Sequence, residues 1–256
     1  MSAVTANAIW HDVECGAYAA DLPLWEELAE RAGGPVLELG CGTGRVALHL
    51  ARRGHEVVGL DKDPELLTVL EDRAADFRPS RVGTESDGIA KPGVVPVLAD
   101  ARRFELDEPV ALVLAPTHLL QLLAGTEERV EALRCIAAAL RPGGLFAASI
   151  LEELPEPDGA PPPLPDVREV DGWVYSSLAT EVAVGPGELR VRRLRQTVSP
   201  GGDLSEEPNE IRIATFAAEV LEAEAAAHGL TPAGRHEIPP TDLHVGSLVV
   251  LFERSG

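Results

Sequence analysis

The sequence predicts an α/β fold: a doubly wound, mostly parallel seven-stranded sheet, closed by a C-terminal antiparallel hairpin and carrying a small antiparallel β insertion. Three observations carry that prediction. Up to residue 151, short apolar runs alternate with stretches of helical spacing, the pattern of strand–helix–strand units joined by right-handed crossovers. One run, Val110-Ala111-Leu112-Val113-Leu114-Ala115, is apolar throughout, as a strand covered on both faces requires. Beyond a stretch at 152–168 with six prolines, β-rich segments are separated by Gly185-Pro186-Gly187 and Pro200-Gly201-Gly202-Asp203. Those are hairpin turns, and hairpins do not extend a parallel sheet in sequence order.

In chain order, residues 10–31 read as an amphipathic segment and a helix started near Asp21-Leu22-Pro23, with Leu24, Trp25 and Leu28 facing the core. Residues 35–45 then pass from a short apolar strand through three alternating glycines, Gly40, Gly42 and Gly44, into the helical spacing of 46–54. Such a turn lets a ligand lie against bare backbone beside a helix N-terminus. Glu56–Asp61 is a second buried strand ending in a carboxylate, and Asp63-Pro64 opens a helix over 63–75.

Residues 78–94 form a polar loop, 95–99 a third strand ending at Asp100-Ala101, and 110–115 a fourth, stopped by Pro116. A helix over 126–140 ends at Leu140-Arg141-Pro142-Gly143-Gly144, and 145–150 is the fifth strand. Strands near 172–183, 188–198 and 209–214 form the insertion. A helix over 216–228 and strands near 233–238 and 246–253, joined by Pro239-Pro240-Thr241-Asp242, close the chain.

Composition narrows the function. With 42 acidic and 22 basic residues the formal charge is −20, which repels phosphate backbones and anionic lipid, so neither nucleic acid nor a membrane surface is an expected partner. Cys15, Cys41 and Cys135 lack metal-ligand spacing and fit a reducing compartment. No basic-then-apolar leader and no run of ~18 apolar residues is present, so a soluble, cytoplasmic protein is expected.

In an open α/β sheet, ligands bind outside the carboxyl ends of the strands. Those ends carry the glycine turn, Asp61, Asp100-Ala101 and Pro116-Thr117-His118. Asp61 follows Gly40 by about twenty residues, the separation at which a carboxylate meets the ribose of a nucleoside seated on the turn. In this order, Val36-Leu37-Glu38-Leu39-Gly40-Cys41-Gly42-Thr43-Gly44, Asp61, Asp100-Ala101 and Leu140-Arg141-Pro142-Gly143-Gly144 resemble the motifs of the class I S-adenosylmethionine-dependent methyltransferases of small molecules. The specific motifs cover about 35–151.

The resemblance implies a Rossmann-like fold, with S-adenosylmethionine as cofactor and no metal. It makes 1–256 one domain: an N-terminal helical lid (1–34), a cofactor-binding core (35–151), an antiparallel insertion capping the acceptor (152–215), and the last helix and hairpin (216–256). Gly40, Gly42 and Gly44 would pass under the methionine part and Asp61 would bind the ribose hydroxyls. Asp100 and Ala101 would edge the adenine, and Glu38 would support the loop or the ammonium group. Cys41, Lys62 and Ala115 complete the implied contacts. Tyr18 stands where small-molecule members often carry an aromatic that closes over the cofactor.

The acceptor is implied to be a small molecule methylated at oxygen or nitrogen. Ala115-Pro116-Thr117-His118 departs from the polar-Pro-Pro-aromatic segment of nucleic-acid enzymes of this fold, and no acidic cluster follows it to hold magnesium. His118 is the candidate catalytic residue because imidazole can take a proton near neutrality. Gln121 is placed to orient an acceptor, and a homodimer is the assembly considered. Two alternatives stand beside this reading. One is a nicotinamide-dependent oxidoreductase, against which Arg45 and Val46 replace the third fingerprint glycine; the other is a non-catalytic cofactor-binding protein of the same fold.

Overall fold

The computed structural model describes residues 6–75, 93–152, 164–241 and 244–256. Two helices come first, α1 (Ala6–Cys15) and α2 (Leu22–Ala32), followed by β1 (Val36–Leu39), α3 (Arg45–Arg52), β2 (Glu56–Asp61), α4 (Pro64–Ala75) and β3 (Gly93–Leu98). Next are β4 (Val110–Ala115), α5 (Thr126–Ala139) and β5 (Leu140–Ile150). The insertion strands are β6 (Asp166–Val170), β7 (Trp173–Gly185), β8 (Glu188–Val198) and β9 (Leu204–Ala214), and α6 (Ala218–Ala226), β10 (Leu230–Ile238) and β11 (Ser247–Arg254) complete the chain.

The main sheet has seven strands in the order β10-β11-β5-β4-β1-β2-β3. β3, β2, β1, β4 and β5 run parallel, whereas β11 pairs antiparallel with both β5 and β10. Leu37 and Leu39 point to one face, where Leu133, Ile136 and Leu221 of α5 and α6 cover them. Val36 points to the other, against Trp25 and Leu28 of α2 and Val46 and Leu50 of α3. Being covered on both faces is why β4 is apolar at every position.

The strand order reverses between β1 and β4, whose partners lead away to opposite edges, and the carboxyl ends there frame a crevice. A second sheet, β6-β7-β8-β9, is antiparallel throughout. It has four strands where the sequence predicts three, and its last strand starts five residues earlier. The extra segments are polar or interrupted by proline, yet they lie at sheet edges: Pro208 sits in the edge strand β9, as Pro96 and Pro232 sit in the main-sheet edges β3 and β10.

β5 also begins earlier than predicted. Leu140 pairs with Val110, and the ladder resumes at Leu145 opposite Leu112, so Arg141–Gly144 bulge out of register. Of the linker predicted over 152–168, residues 153–163 lie outside the described residues; so do all but 93 and 94 of the predicted loop and Asp242 of the final turn.

Candidate active site

The turn after β1 is built from glycines that only glycine can supply. Gly40 and Gly42 have φ of 63° and 54°. A Cβ on Gly42 would lie 2.3 Å from His11 Nε2, and one on Gly40 would lie 2.7 Å from Leu119 Cδ1. The bare backbone thus lets α1 and the segment after β4 close on the turn from two sides. Gly44 is pressed against Leu70 and Leu48, and its freedom serves the packing of α3 on α4.

α1 is tied to this turn by side chains. Thr43 Oγ1 donates to Asp12 Oδ1 at 2.6 Å and lies 3.3 Å from His11 Nδ1. Arg73 of α4 donates to Asp12 and to the Thr43 carbonyl, and Arg168 of β6 pairs with Asp12 at 2.9 Å. Burial pushes the Asp12 carboxyl upward, but the hydrogen bonds from Arg73 and Thr43 outweigh it and hold the group below its ordinary value. Arg45, first in α3, grips Asp21 with both ends of its fork and donates to the Tyr18 carbonyl.

Two cavities open at the strand ends. The first, about 470 Å³, is lined by Gly40, Asp61, Lys62, Asp100, Ala101 and, from α1, His11. Asp61 accepts from the Gly42 N–H through Oδ2 (2.8 Å) and from the Asp63 N–H through Oδ1 (2.9 Å), so a lone pair on each oxygen remains for hydroxyl donors. Asp100 is held down to about 2, chiefly by the hydrogen bond from Arg102. Two carboxylates at the ends of adjacent strands face a cavity floored by bare backbone, and a group with paired hydroxyls and an amine fits that set.

The second cavity, about 360 Å³, lies under the four-stranded sheet. Its wall is aliphatic, from Ala179, Val182, Leu189, Val191, Ile213 and Val245, with Tyr18, His118, Ser149, Arg193 and His244 as polar points. Cys15, Thr117, His118 and Ile213 line both cavities, so the two meet there. Thr117 and His118 have φ of 48° and 62°, two successive non-glycine residues in the left-handed region, each strained by about 1 kcal/mol or more. That kink after Pro116 turns the imidazole into the junction. Burial lowers His118 to about 4, and its Nδ1 is buried without a hydrogen-bond partner.

The sequence-predicted residues separate into groups. Gly40, Asp61, Lys62, Asp100 and Ala101 line the first cavity. Tyr18 lines the second, under the Arg45 guanidinium and edge-on to His244 with ring centres 5.0 Å apart. Glu38 lies behind the turn, buried with Oε2 unpartnered, and burial raises it to about 8. Cys41 turns its thiol toward Gly59 and α4, where burial raises its pKa, and Ala115 is packed in the core.

Gln121 does not face the acceptor. Its amide donates to the Leu151 and Ala214 carbonyls and accepts from the Leu151 N–H, joining the ends of β5 and β9. Sequence reasoning missed His11, Cys15, Arg102, Arg193 and His244. The period-two spacing of Leu189, Val191 and Arg193 was the available signal for one inward face of β8. Among the described residues there is no group of acids, histidines and cysteines able to hold a metal ion, and no helix long and apolar enough to cross a membrane.

Residues 36–144 match the methyltransferase domain family. A ubiquinone biosynthesis O-methyltransferase of a Methylobacterium strain is 30% identical over 146 residues, which are 55% of this chain and 49% of that protein. The chain spans about half the length, or less, of the first curated relatives it matches. Among solved structures, a sugar N-methyltransferase from Streptoalloteichus superposes with a TM-score of 0.73 at 19% identity, covering 100% of this chain and 95% of that one. An amino pentose methyltransferase from Micromonospora echinaspora, solved with S-adenosylmethionine bound, gives 0.69 at 19% identity with full coverage of both chains.

Proposed function

We propose, from the match of residues 36–144 to the methyltransferase domain family and from a fold shared with solved methyltransferases, that the protein transfers a methyl group from S-adenosylmethionine to an oxygen or nitrogen of a small-molecule acceptor. The observation that carries this is the pair of cavities meeting at His118. One is edged by carboxylates at successive strand ends, and the other is walled by aliphatic side chains under the cap. The cofactor supplies an activated methyl on a sulfonium, so the chain's task is to place the acceptor in line with it.

Asp61 takes the ribose hydroxyls, Asp100 with Ala101 the adenine edge, and the turn at Gly40 and Gly42 the methionine part, with Glu38 behind it. His118 orients the acceptor by accepting from its O–H or N–H. Burial keeps the ring neutral, which matters next to a sulfonium because a protonated imidazole there would repel it. Tyr18, His244 and the aliphatic wall bind the rest of the acceptor and exclude water. The sugar and amino pentose methyltransferases among the structural neighbours support an amine-bearing acceptor.

Calorimetric titration with S-adenosylhomocysteine and with NAD tests the cofactor. Binding of the former and none of the latter is expected, and preference for NAD would overturn the reading. Incubation with methyl-labelled cofactor and a panel of amino sugars and amino alcohols then tests the acceptor class.

A further inference from the structure

At the edge of the first cavity one arginine directs most of its hydrogen bonds to a single carboxylate and the last to a second. Arg102 donates three hydrogen bonds to Asp100: its backbone N–H and Nε to Oδ1, both at 2.9 Å, and Nη2 to Oδ2 at 2.6 Å. Its Nη1 reaches the other way, to Glu128 in the first turn of α5, and Glu128 in turn accepts from the Ala124 N–H. The backbone joins in: the Arg103 N–H bonds the Asp100 carbonyl at 2.8 Å, and Cys135 Sγ donates to the Arg102 carbonyl at 3.2 Å. The tight turn after β3 is thereby fixed to α5, and the Asp100 carboxylate is fixed to the turn. All three of Asp100, Arg102 and Glu128 line the cavity.

This arrangement counts the acceptor capacity of Asp100. An ionised carboxylate offers about four lone-pair positions and no donor. Oδ1 is filled by two donors, and Oδ2 holds one, so one direction on Oδ2 is left. We infer that Arg102 is a positioning residue that sets the nucleobase selectivity of the cofactor cavity, by leaving Asp100 a single fixed lone pair for the exocyclic amine of a 6-aminopurine. A 6-oxopurine presents a carbonyl oxygen there, and that oxygen meets a carboxylate with no proton to give. Without Arg102 the carboxylate is free to rotate toward Lys62, which lines the same cavity. The inference rests on the cofactor reading above and goes beyond it by assigning selectivity to a residue outside the motif.

The test is calorimetric affinity for S-adenosylhomocysteine and for S-inosylhomocysteine, with melting temperature as the check of folding. The wild-type chain is expected to prefer the adenosyl compound by about tenfold or more, the scale set by one hydrogen bond to a charged group. Arg102→Ala should weaken adenosyl binding about tenfold and bring the two affinities within about threefold of each other. Arg102→Lys keeps the positive charge but not the fork, so it should lose the preference as well; it also stands in if the alanine variant does not fold. A folded variant that retains the full preference overturns the inference alone. A wild-type chain that binds neither compound overturns the cofactor reading and this inference with it.

Discussion

Asp61 bonds the backbone through both oxygens and turns the same two oxygens to the first cavity. Its bonds to the Gly42 and Asp63 N–H groups pin the glycine turn to the end of β2, and the remaining lone pairs face the cavity. Asp61→Ala therefore removes charge-assisted bonds of both kinds and should cost about 2–3 kcal/mol in cofactor binding, on the order of 30- to 150-fold in affinity for S-adenosylhomocysteine by calorimetry. Unchanged affinity would remove Asp61 from the site. His118 differs because its environment acts on protonation. Its folded-state value of about 4 lies below the ordinary 6.5, so between those values the unfolded chain binds a proton that the folded chain does not. The contribution of His118 to stability is complete above about pH 6.5 and is lost as the pH falls toward 4. The acid limb of kcat/KM should accordingly lie near pH 4, and His118→Asn should abolish that limb and slow methyl transfer on the order of 10²–10³-fold. A pH-rate profile of both proteins measures it.

At the scale of elements, α1 joins the two sheets. Asp12 holds the glycine turn through Thr43, whereas Glu14, less than one turn on, accepts from Ser177 of β7 at 2.8 Å and from Arg195 of β8 at 2.8 and 2.9 Å. Glu14→Gln weakens the second set only, so amide hydrogen exchange should quicken in β7 and β8 while β1 to β4 keep their protection. Equal acceleration everywhere would mean that α1 is a general stabiliser and not a specific strap. The same contrast explains what was legible beforehand. The glycine turn, Asp61 and Asp100 are encoded locally: positive φ needs glycine, and a strand-end acid announces itself by its place. The bounds of β4, α4 and α5 follow from an unbroken apolar run and from proline and glycine stops. β6, the first half of β9 and the start of β10 were not legible, because edge strands tolerate the polar residues and prolines that usually mark loops. The wall of the second cavity was hidden for another reason: Tyr18, His118, Arg193 and His244 lie on four separate segments of chain and meet only in the fold.

For the whole molecule, the two sheets divide the labour. The parallel sheet presents its crevice where β1 and β4 part, and everything expected to touch the cofactor projects from that edge or from α1 above it. The antiparallel sheet adds Ile211 and Ile213 to the first cavity but supplies most of the apolar wall of the second. If the division is real, filling the second cavity from the cap should leave the first intact. Val191 is the position to use: it lies on β8, an interior strand of the second sheet, paired with Val182 on one side and Ile211 on the other, and it lines the second cavity but not the first. Val191→Trp projects an indole into a space of about 360 Å³, on a strand held by both neighbours and unable to swing away. Affinity for S-adenosylhomocysteine should stay within about threefold of wild type, because no cofactor contact is displaced. Methyl transfer should fall about a hundredfold or more, because an acceptor shifted by even an ångström loses its line to the methyl. A parallel loss of cofactor affinity would show that the cavities act as one, with the strap through α1 transmitting the cap's displacement to the glycine turn.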